Sequence, residues 1–103
     1  MERDEVMIQL TAIRDNLPLH YPLQSARKLM SSYENYKRVL QAIGNRSADL
    51  LSGVKSELSD IEFDIRWAIK GSPKKEAETR FAEAKLHITD DVNSILDKLG
   101  SAG

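Results

Sequence analysis

Cysteine is absent from the 103 residues, which removes disulfide scaffolds, thiolate zinc sites and cysteine nucleophiles together. No stretch approaches the roughly 18 consecutive apolar residues of a membrane span. The acidic start Met1-Glu-Arg-Asp-Glu leads into no apolar run of signal-peptide length, so a cytoplasmic protein without a membrane partner is expected. Neither charge sign dominates: 15 Lys and Arg offset 16 Asp and Glu, leaving a net charge of −1 and no global field to draw the chain onto nucleic acid. There is no phosphate-cradling glycine loop, and no serine lies in a nucleophile-elbow sequence.

What is present suits a folded, helix-rich chain, with 41% hydrophobic and 30% charged residues in a length typical of one domain spanning 1–103. Breaks at Leu17 to Pro22, Gly44-Asn45, Gly71-Ser72-Pro73 and Gly100 divide it into four pieces. Helices are predicted over about 2–16, 23–43, 47–70 and 73–99.

The first carries Val6, Leu10, Ile13 and Leu17 on one face, with Ile8 and Ala12 opposite. The second spaces Ala26, Leu29, Tyr33, Tyr36, Leu40 and Ile43 in alternating steps of three and four, with Met30 at the edge of the seam. The third repeats the pattern with Leu51, Val54, Leu58, Ile61, Ile65 and Ala68, after a possible N-cap at Ser47 and despite the helix-weakening Gly53. The fourth opens on Ser72, Pro73 and Glu76 and keeps Ala77, Phe81, Ala84, Ile88, Val92, Ile95 and Leu99 in line, although Thr89-Asp90-Asp91 offers a place to break. Short connections between helices of comparable length predict an all-α, antiparallel up-and-down four-helix bundle. The competing arrangement is a three-helix core with a loosely attached first helix.

One pair of residues departs from the seams. Phe63 and Trp67, one turn apart, fall nearly opposite the apolar stripe of the third helix, among Ser52, Ser56, Asp60 and Lys70. Either the first helix covers them, burying the third helix on two sides, or they form a partner-binding surface with Asp60 and Lys70.

Other constellations read as structural. Glu57, Asp60, Glu62 and Asp64 make a solvated acidic face, with Glu62 placed to pair with Arg66. His20 sits in the proline corner, and Glu83 with His87 is expected to be a solvated pair lacking a third metal ligand. No metal or other cofactor is expected. Arg27 and Arg38 share a face that Glu34 interrupts, and Lys74-Lys75 lies near the start of the fourth helix, where the macrodipole disfavours cations, as an exposed lysine pair. A Trp-x-Gly turn like that of small secreted helical-hairpin proteins is missing, since Trp67 precedes Ala68-Ile69-Lys70.

With regularity spent on seams and no chemical constellation, the expected function is a non-enzymatic protein-interaction module: an adaptor, inhibitor, assembly chaperone or immunity-type factor. A self-associating structural or connector subunit is the alternative, and a nucleic-acid-binding regulator a third reading.

Overall fold

A computed structural model describes residues 3–18, 23–43, 54–71 and 73–101. Four helices occupy them: α1 (Arg3–Asp15), α2 (Leu23–Ile43), α3 (Val54–Lys70) and α4 (Lys74–Ser101). No strand occurs among the described residues, and the helices form an all-α bundle. Gly44-Asn45, Ser47, Leu51, Gly53, His20 and Ser72 lie outside the described residues.

Helix ends follow local chemistry. Asp4 and Glu5 sit in the first turn of α1 and Arg14 in its last, each complementing the macrodipole. The helix closes where the Asn16 backbone N–H and side-chain amide both donate to the Ala12 carbonyl, at 3.0 and 2.7 Å. Gly71 ends α3: its N–H donates to the Trp67 carbonyl at 3.2 Å, and its φ of 74° is the left-handed conformation that only glycine adopts without strain. Helix α4 begins as the Ala77 N–H donates to the Pro73 carbonyl at 3.0 Å.

Helix α4 is unbroken at Thr89, whose hydroxyl instead donates to the Lys85 carbonyl one turn back at 2.9 Å. It also runs past the expected stop at Gly100 to Ser101. Its 28 residues extend about 42 Å at the α-helical rise. That nearly matches the 45 Å long axis of the molecule, so α4 is the spine on which the bundle is laid.

Cross-helix pairs fix the directions. Tyr33 of α2 donates its hydroxyl to the Leu58 carbonyl of α3 at 3.1 Å, while Met30, earlier in α2, shares a groove with Ile69, later in α3. Asp64 of α3 meets Arg80 early in α4, and the earlier Glu57 neighbours Asp91 farther along it. Both pairs of neighbours are therefore antiparallel.

Helix α3 packs on α2 and α4, and α1 packs on the same two helices. The predicted seams form one core: Val6 and Leu10 from α1, with Leu17 just past its end; Ala26, Leu29, Tyr33, Tyr36, Leu40 and Ile43 from α2; Ile61, Ile65 and Ala68 from α3; and the seven residues named for α4 are all buried. Val39 joins them, while Ile13, Met30 and Leu58 pack at the margin.

Two buried side chains of α1, Val6 and Leu10, with Leu17 buried just past its end and an Arg14 to Asn93 hydrogen bond of 2.8 Å to α4, make the first helix an integral member of the bundle. The loosely attached first helix is thereby excluded. The α1 side chains Ile8 and Ala12 face solvent as their spacing predicts.

Candidate functional site: an aromatic pair on the α3–α4 edge

Because α1 lies between α2 and α4, it does not cover Phe63 and Trp67. That corrects the expectation that the first helix buries them: its apolar face is spent on the core instead. Phe63 is 53% exposed, Trp67 is half-buried, and Asp60 and Lys70 are exposed. The two rings border α4, whereas Lys70 also lines the groove between α2 and α3 with Met30, Glu34 and Glu62.

The two rings meet edge to face, with centroids 6.4 Å apart and planes at 66°, a favourable geometry for aromatic quadrupoles. Two cations lie against them. The Lys70 ammonium stands 4.7 Å from the Trp67 centroid, one helical turn on along α3. The Arg80 guanidinium reaches over from α4, 5.2 Å from the Phe63 centroid and 5.7 Å from that of Trp67.

Arg80 is held in place by carboxylates. Its Nη1 donates to Asp64 Oδ1 at 2.8 Å, and its Nη2 to Glu76 Oε1 at 3.3 Å. These bonds, the one to Asp64 first, raise the Arg80 pKa further and keep it cationic. Asp64, expected on the solvated acidic face, is buried, because it sits where α3 meets α4 and turns inward to this partner. The remaining acids behave as predicted: Glu57 and Asp60 are exposed, and Glu62 accepts from Arg66 Nε at 3.4 Å.

Arg80 is the member of this cluster that sequence reasoning missed. Its i, i+4 relation to Glu76 was visible, but the aromatic and acidic partners come from another helix. Leu86, 57% exposed on the solvent side of α4, was also unremarked.

A second polar cluster lies inside the bundle, farther along the same α3–α4 contact. Tyr36 of α2 is fully buried and faces Asp91 of α4, only 8% exposed, with Glu57 of α3 beside it. Tyr36 and Asp91 are electrostatic neighbours short of a formed bond, since neither the tyrosine hydroxyl nor Asp91 Oδ2 has a hydrogen-bond partner. Burial, then the Glu57 carboxylate and Asp90, push the Asp91 carboxyl up to about 7. Burial, then Asp91, raise the Tyr36 phenol far above its ordinary value.

His87, one turn before Asp91, is half-buried with an unpartnered Nδ1, whereas Glu83 is exposed. Among the described residues no group of three or more His, Cys, Asp or Glu is placed to hold a metal ion. Arg27, Glu34 and Arg38 are all exposed on α2, so an acid stands among the cations on that helix. No described helix is long and apolar enough to cross a membrane.

Comparison of the chain with known protein families, with characterised proteins and with solved structures yields no match to any of them.

Proposed function

We propose that the chain is a non-enzymatic interaction module that docks a protein partner through the α3 face formed by Asp60, Phe63, Trp67 and Lys70, and that it acts in the cytoplasm as an adaptor, inhibitor, assembly chaperone or immunity-type factor. The observation that carries this reading is the 53% exposure of Phe63 although a fourth helix was at hand to cover it. Exposing an aromatic side chain forgoes on the order of 1–2 kcal/mol of burial, a cost that docking recovers. Aromatic anchors flanked by cations and acids have the composition of an interface hot spot with its polar rim.

The test compares Phe63→Ser with Leu86→Ser, two exposed apolar positions on different faces. Retention of a partner by the wild type and by Leu86→Ser, and its loss with Phe63→Ser at unchanged helicity, is the expected result. Equal loss or equal retention by both variants contradicts the assignment of the face.

A self-associating structural or connector subunit is the second reading, favoured by the arrangement of charge along the same face.

A further inference from the structure

Four side chains of α3, the exposed Asp60, Phe63 and Lys70 and the half-buried Trp67, are spaced symmetrically. Asp60 and Lys70 are equidistant from the level of Ile65, and so are Phe63 and Trp67, giving steps of three, four and three. At about 100° per residue they occupy a stripe roughly 80° wide on the helix surface. The stripe is antisymmetric in charge, with an acid at one end, a base at the other and two aromatics between.

A two-fold axis crossing α3 at the level of Ile65 brings two such stripes together antiparallel. Each Asp60 then opposes the Lys70 of the other copy, and each Phe63 opposes a Trp67. We infer that the occupant of this face is a second copy of the same chain, docked antiparallel through α3. The inference rests on the reading of that face as an interaction surface and names its partner.

Charge complementarity selects this occupant. Among the described residues neither Asp60 nor Lys70 is in a salt bridge; the Lys70 ammonium stands over the neighbouring indole face and borders the groove that Glu34 and Glu62 line. An antiparallel copy supplies Asp60 with a cation and Lys70 with a carboxylate twice over, once at each end. A parallel copy would set acid against acid and base against base.

The rings gain in the same way. Arg80 covers the side of the pair toward α4, leaving the outward side of Phe63 open, so two pairs meeting across the axis form a four-ring cluster. Isologous contacts of this kind are the commonest route to a closed homodimer.

The stripe is short, about 15 Å from Asp60 to Lys70 at the helical rise. An interface of that reach falls below the standard size, so the dissociation constant is expected to be on the order of 0.1 mM.

Sedimentation velocity of the full chain between about 10 µM and about 1 mM tests the inference with variants at two exposed charges. The wild type should pass from monomer to dimer across this range. Asp60→Lys and Lys70→Asp each turn two attractive pairs into repulsive ones and should weaken association about tenfold or more.

Mixing the two single variants restores every pair and should recover the dimer, as should the double variant alone. A wild type that stays monomeric, single variants that dimerise like the wild type, or a mixture that fails to recover association each overturns the inference. A monomeric wild type whose foreign partner is lost with Phe63→Ser defeats self-pairing while leaving the proposed function standing.

Discussion

Replacing Asp91 with Asn should stabilise the bundle at neutral pH, and the gain should vanish in acid. In the unfolded chain this carboxyl titrates near 3.8, whereas burial and the Glu57 carboxylate push it up to about 7 in the bundle. Over the interval between those values the folded protein keeps a proton that the unfolded chain has released. Stability from this group is therefore full below about pH 4, falls as the pH rises toward about 7 and is flat above. The gap corresponds to ~4 kcal/mol at most.

The Asn amide is still polar and must be desolvated, so the expected gain at about pH 8 is ~2 kcal/mol, or roughly 10 °C in melting temperature. Urea unfolding of both proteins at about pH 4.5 and about pH 8 isolates the effect, because other carboxylates cancel in the difference. An Asn variant less stable than the wild type at the higher pH would refute the reasoning. So would a difference that does not change with pH.

Removing the guanidinium with Arg80→Ala leaves Asp64 buried without its cation and uncovers both rings. A lower urea midpoint and a red-shifted Trp67 emission are expected, and an unchanged midpoint would show that the Asp64 contact contributes nothing to stability. Gly100→Ala places a methyl group in open space within the last turn of α4. It should raise stability by a few tenths of a kcal/mol, since helix ends realise only part of the Ala–Gly propensity difference, and a loss would argue that the helix stops before Gly100.

The seams were legible because a helical stripe needs only its own spacing. Ala77 through Leu99 repeat at helical pitch without interruption, which outweighed the capping signal at Thr89 and joined what Thr89-Asp90-Asp91 could have separated. Which helix each seam faces was not legible. The stripe of α1 fits any groove in the bundle, and only the assembled core places it against α2 and α4 and leaves Phe63 outside.

The burial of Asp64, expected on a solvated face, and of Asp91 was not legible for a related reason. Both sit at the margin of a seam, where burial depends on what the facing helix supplies: Arg80 for the first, Tyr36 and Glu57 for the second. The face of Phe63, Trp67, Asp60 and Lys70 was legible as an oddity of composition. Its cationic cover from α4 was not, because no local spacing connects Arg80 to residues on α3.

On the proposed reading, the Asp60 to Lys70 face is covered when the protein is assembled and open when it is alone. Trp67 is the sole tryptophan, so acrylamide quenching of its fluorescence reports on that face without labelling. The quenching constant should fall at least about twofold as the protein is concentrated past the dissociation constant or saturated with its partner, while helicity stays fixed. A constant that stays the same through assembly would contradict the account.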